Sequence, residues 1–116
     1  MKDKPGFVIS HTLKNTGEKR IDTNQYNHNF FVIDETPTGP DYSVEFPFQI
    51  ASAEGDEKSK RLVSNNKNKL QFQKYFKDES AYLTLTGFEN KNSDHGFKIV
   101  NKKTGAGVEL KVDKPL

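Results

Sequence analysis

At 116 residues the chain is sized for a single domain, with room for a two-layer core and too little length to divide into two. Hydrophobic residues make up 32% and charged residues 29%, so the core is lean and rests on nine Phe and four Tyr, rings that bury large areas and favour strands. The net charge of +2, from 18 basic and 16 acidic residues with scattered lysines, excludes a nucleic-acid footprint; the lack of cysteine excludes disulfides and thiolate metal sites.

Hydrophobic residues recur with period two along nearly the whole chain and with period 3.6 almost nowhere. Phe7, Ile9, His11 and Leu13 alternate with Val8, Ser10 and Thr12, and Asn15, Thr16 and Gly17 then supply a turn into an extended run over residues 19–34. Together they predict a hairpin. Within the second run Tyr26, His28 and Phe30 project to one side and Asn27, Asn29 and Phe31 to the other. An imidazole between two aromatic rings is suited to lining a sugar site. The plainer account is a half-buried strand histidine hydrogen-bonded by an asparagine.

A loop rich in Pro and Gly over residues 36–41 leads to the cleanest alternation in the chain, with Tyr42, Val44, Phe46, Phe48 and Ile50 on one face. That stripe is expected to face the core. On its other face Pro47 has no amide for a ladder, which predicts an edge strand or a bulge. Residues 51–60, small and charged, read as a mobile surface loop without chemistry. Short strands are expected over residues 61–64, 70–76 and 81–88, with turns over 65–68 and 77–79. A last pair, residues 97–101 and 108–112, flanks a turn containing Gly105 and Gly107. Seven or eight strands and no convincing helix predict an all-β fold, an antiparallel β-sandwich or a piece of one.

At the entrance to the penultimate strand lies a second polar cluster, Ser93, Asp94, His95, Gly96, Phe97. As a turn it is well made, because Asn92, Ser93 and Asp94 bond to nearby backbone and Gly96 permits a positive φ. The same residues suit a sugar: the Asp94 carboxylate accepts two hydroxyl hydrogen bonds in a fork and His95 donates one. His11, His28, His95 and Asp94 lack the close spacing of a metal signature, so no metal and no cofactor are expected. No glycine loop precedes a helix to cradle phosphate, and no serine sits in a nucleophile elbow. No apolar run is long enough to cross a bilayer and residues 1–6 lack the apolar core of a signal peptide, so neither a membrane nor nucleic acid is an expected partner.

The two clusters carry a resemblance. The run Asn27, His28, Asn29, Phe30, Phe31 resembles the Asn, His, small polar, aromatic, Phe motif of the galactose mutarotase (aldose 1-epimerase) superfamily, and it follows a Thr, Asn and Gly-rich segment of the family's kind. Asp94, His95, Gly96, Phe97 is similar to the family's Asp, His, Asn, Phe element, at about the expected interval. Thr104, Gly105, Val108 to Leu110 and the closing Asp113, Lys114, Pro115 resemble the hairpin after it, so the likeness runs from about Ser10 onward.

The resemblance implies a part of a mutarotase-like supersandwich that binds a monosaccharide or glycan. His28 inherits the role of the general acid that protonates the ring oxygen, Asp94 that of a ligand to sugar hydroxyls, and their motif neighbours Asn27 and His95 join the substrate-binding set. Ring opening also needs a base at the anomeric hydroxyl. In the family that carboxylate lies downstream of the matching hairpin, and the family's earlier arginine and histidine have no counterpart before Ser10. The resemblance therefore implies an excerpt of a longer epimerase-like protein, inactive by itself, with sheet edges prone to self-association. The alternative is a non-catalytic carbohydrate-binding or protein-interaction sandwich in which both clusters are structural.

Overall fold

The computed structural model describes residues 5–23, 28–89, 91 and 94–112. Among them seven strands and one short helix form. Five strands make an antiparallel sheet: β1 (Tyr42–Glu45) at the centre, β4 (Lys69–Phe72) and β3 (Val63–Asn66) on one side, β6 (Gly96–Asn101) and β7 (Gly107–Lys111) on the other. Strands β2 (Ser52–Glu54) and β5 (Thr84–Thr86) pair apart from it. The fold is thus all-β in character.

Strand register sorts the side chains. Val44 lies opposite both Leu70 and Ile99, and Ile99 opposite Val108, so Leu70, Val44, Ile99, Val108 and the Phe97–Leu110 pair share one apolar face. The opposite face carries Glu45 against Lys69, joined by an ion pair of 2.8 Å, with Lys98 across from Glu45 and Glu109. Among the described apolar residues full burial is confined to Ile33, Tyr42, Ile50, Leu62 and Val63, while Val44, Ile99, Val108 and Leu110 are only half-buried. The stripe read from residues 42–50 accordingly faces inward, but only Tyr42 and Ile50 are fully covered.

Several expectations are corrected. Strand β1 is central and ends at Glu45, two residues before Pro47, so the proline marks an exit from the sheet and neither an edge nor a bulge. The chain then wraps the β3–β4 turn, with Phe46 N–H donating to the Asn68 carbonyl (2.8 Å) and Ile50 N–H to that of Lys67 (2.9 Å). Residues 51–60 are not a loop: they hold β2 and the start of α1 (Glu57–Leu62). Asp56 caps this helix, its carboxylate accepting from Ser59 N–H at 2.7 Å, and Glu57 and the Lys60–Arg61 pair sit at the ends the helix dipole favours. Residues 61 and 62 therefore finish a helix and β3 starts at Val63.

The N-terminal hairpin forms only at its turn. Gly17 N–H donates to the Asn15 side-chain oxygen (2.9 Å) and the Asn15 amide to the Lys19 carbonyl (2.8 Å), as an Asx turn requires. The flanking runs do not pair: no strand occurs among the described residues of 5–34. Alternation makes a face, and a face becomes a strand only against a partner.

Candidate functional site

Strand β6 carries a cluster of interest at each end. At its start Gly96 has φ +148°, and a Cβ there would stand 2.4 Å from the Leu110 carbonyl oxygen, so only glycine fits. Before it, the Asp94 carboxylate accepts from Glu89 N–H at 2.9 Å and Asp94 N–H donates to the Lys91 carbonyl at 3.0 Å, which closes the turn the sequence predicts. Lys91 pairs with Glu89, and this hydrogen bond, reinforced by the Glu89 and Asp94 charges, raises the lysine pKa. His95 is buried, 9% exposed, and its Nε2 has no hydrogen-bond partner. Asp94 is half-buried.

The first cluster approaches the same strand. His28 is exposed and meets the Phe30 ring edge-on with centroids 4.1 Å apart, so these two share a side as the alternation requires. Asn27 and Tyr26 lie outside the described residues. Phe31 turns inward and packs edge-to-face on Phe97, centroids 6.2 Å apart. Phe97 continues to Phe46 (6.4 Å), Phe46 to Phe48 (5.4 Å) and Phe48 to Phe88 (5.7 Å), a row of rings across the apolar face. The terminal Phe of each motif is thereby in contact with that of the other. His28 and Asp94 each lie three residues from this contact, at most about 10 Å of extended chain.

Behind Phe31 the chain is fixed by an anchor that sequence reasoning missed. Ile33 N–H donates to the Tyr42 hydroxyl (3.0 Å), whose own proton is directed between the Thr36 carbonyl (2.8 Å) and the Ile33 carbonyl (3.1 Å). Asn101, fully buried at the far end of β6, donates to the Ile33 carbonyl (3.2 Å) and the Thr36 hydroxyl (2.8 Å) and accepts from Lys103 N–H (3.0 Å). The local signal was an asparagine at a strand end before a Gly turn. Its partners, 65 and 68 residues away, were not readable locally.

Beside the anchor a cleft of about 320 Å³ lies among Asp34, Glu35, Asp41, Tyr75 and Lys103. Asp34 and Glu35 are consecutive left-handed residues, φ 52° and 53°, and the Thr104 hydroxyl donates to the Asp34 carboxylate. Tyr75 donates to the Asp41 carboxylate at 2.7 Å, and this bond raises the phenol pKa. Neither this cleft nor the one of about 580 Å³ beside Glu54, Asp56 and Tyr82 is lined by His28, Asp94 or His95. Asp34 is held by Thr104 and by the Ile33 peptide at the Asn101 end of β6, about 17 Å of strand from the Asp94 end. Among the described residues no three His, Asp or Glu side chains form a metal cluster, and no helix is long and apolar enough to cross a membrane. No family model, curated protein or solved structure matches the chain.

Proposed function

We propose that this chain is the carbohydrate-binding portion of an aldose 1-epimerase-like protein and that its sheet is one layer of a mutarotase-like supersandwich. The observation that carries the reading is the Phe31–Phe97 contact, which joins the two motifs resembling that family at one end of β6. The half-covered apolar face of Leu70, Val44, Ile99 and Val108 is what one layer of a sandwich presents to the other.

In this reading the His28 imidazole delivers a proton to the ring oxygen of a pyranose while the Asp94 carboxylate grips its hydroxyls, with Asn27 and His95 completing the polar set. The exposed Phe30 ring beside His28 offers an apolar face for the sugar's C–H groups. Opening the ring also needs a carboxylate at the anomeric hydroxyl. Asp34 and Glu35 line the cleft at the opposite end of β6 and do not serve as that base in this reading, in which this part of the protein binds without turning over. Titration of the labelled chain with galactose or glucose tests the reading. Chemical-shift changes clustered on His28, Asp94 and Phe97, absent in His28→Ala, support it, and polarimetry should show mutarotation no faster than the spontaneous rate. Shifts elsewhere, or none, would end it.

The second reading, a non-catalytic module with structural clusters, is favoured by the bond from Glu89 N–H to the Asp94 carboxylate and by the burial of His95. It predicts that Asp94→Asn lowers thermal stability and leaves sugar affinity unchanged.

A further inference from the structure

The chain exposes far more surface than its mass calls for. A folded protein of 13.2 kDa is expected to expose about 6,400 Å², and this one exposes 9716 Å². Its radius of gyration, 16.5 Å, likewise exceeds the roughly 13 Å of a compact domain of this length. One exposed run stands out by its large apolar side chains. Residues 7–13 stand clear of the sheet, with Phe7 86% and Val8 90% exposed and Ile9 and Leu13 exposed as well. Among the described residues no hydrogen bond holds them. A run that alternates like a strand, with its peptide groups unpaired and its large side chains in water, is a strand without a sheet.

The sheet has a place for it. Strands β3 and β7 are the two ends of the five-stranded sheet. Strand β3 is a poor acceptor, since after Val63 it offers Ser64, Asn65 and Asn66. Strand β7 presents Val108 and Leu110 on the apolar face and alternates them with Gly107, Glu109 and Lys111. When Phe7 is set antiparallel opposite Leu110, Ile9 falls opposite Val108, and the pairs extend the rows already formed by Phe97–Leu110 and Ile99–Val108. Val8 then lies opposite Glu109 on the polar face, where both are exposed in the single chain.

We propose that residues 7–13 of one copy add to the β7 edge of a second copy, and that the second returns the same segment to the first. Each chain holds one donor and one acceptor, so the exchange closes as a two-fold dimer with neither left over. The exchange counts twice toward the roughly 800 Å² that a stable interface takes from each partner, because each chain contributes both the exposed residues 7–13 and its β7 edge. Antiparallel addition also matches every pairing within the sheet.

Sedimentation of the full 116-residue chain from low to high micromolar concentration is expected to show a reversible monomer–dimer equilibrium. Ile9→Pro, which removes an amide and a side chain from an exposed segment with no role in the folded sheet, should weaken the dimer roughly tenfold or more at an unchanged far-UV spectrum. Because the chain has no cysteine, a Val8→Cys chain mixed with a Glu109→Cys chain should oxidise to a covalent dimer of the two. A chain that stays monomeric at high micromolar concentration overturns the proposal. So does a dimer indifferent to Ile9→Pro, or a double Val8→Cys, Glu109→Cys chain that closes its disulfide within itself as a monomer.

Discussion

The two ends of β6 make opposite use of a buried polar side chain. At one end Asn101, 0% exposed, has both its amide and its carbonyl matched, and it ties together Ile33, Thr36 and Lys103. At the other His95, 9% exposed, is left with an unpaired Nε2. A satisfied buried polar group rigidifies and specifies; an unsatisfied one, such as the His95 Nε2 or the Ser43 hydroxyl, costs stability. The Asn101 end holds the structure. The His95 end, where the two motifs meet, carries a buried nitrogen whose lack of a partner costs stability.

Asn101→Leu acts at the firmly held end. It leaves the buried Thr36 hydroxyl and the Lys103 N–H without the Asn101 side chain, and chemical denaturation should show a loss of about 3 kcal/mol. Tyr42→Phe removes the hydroxyl that serves Ile33 N–H and the Thr36 carbonyl, and about 1.5 kcal/mol should be lost by the same measurement. At His95→Leu the sign reverses: with no hydrogen bond at Nε2 to lose, stability should rise by about 1 kcal/mol. A loss of that size would mean that His95 is as structural as Asn101. The smallest effect lies away from both ends, at Glu79, whose carboxyl is held down at about 2 by the hydrogen bond from the Lys74 ammonium and the one from Lys77 N–H. A lowered folded-state pKa gives stability that is present above the ordinary value of 4.5 and is lost as the pH falls from 4.5 through 2. The group is exposed enough that the change should be slight, and it should be equal in the Asn101 and His95 variants. Lys74→Ala should flatten that part of the pH–stability profile.

What was legible in the sequence was local. Strands β6 and β7 join through a turn with Gly105 at φ 78°, and alternation plus turn chemistry within some fifteen residues specify them. The turn at Asp94 and the positive φ of Gly96 were readable for the same reason. Helix α1 was not, because its six residues are too few to show a period and its charged face looked like a solvated loop. Residues 7–13 misled in the other direction: their alternation is as regular as that of β1, but pairing depends on a partner the local pattern does not name. Of the candidate site, the two motifs could be read, but the Phe31–Phe97 contact between them is long-range and no local pattern names it. The burial of His95 and the Tyr42–Asn101 anchor depend on contacts across the chain and on which parts of the apolar face are covered.

The anchor grips Ile33 by its peptide group. Both the N–H and the carbonyl of this residue are held, by Tyr42 and Asn101, and the bonds do not depend on which apolar side chain stands there. Mutational tolerance is therefore divided unevenly among three residues that meet at one point. Position 33 is free to drift among apolar residues of similar size, whereas Tyr42 and Asn101 supply the donors and acceptors themselves and have no close substitutes. For an engineer, the same division makes the exposed Asn29 and Val32 positions to diversify: they vary while the chain behind them stays tied to β1 and β6 through a main-chain grip that every library member carries.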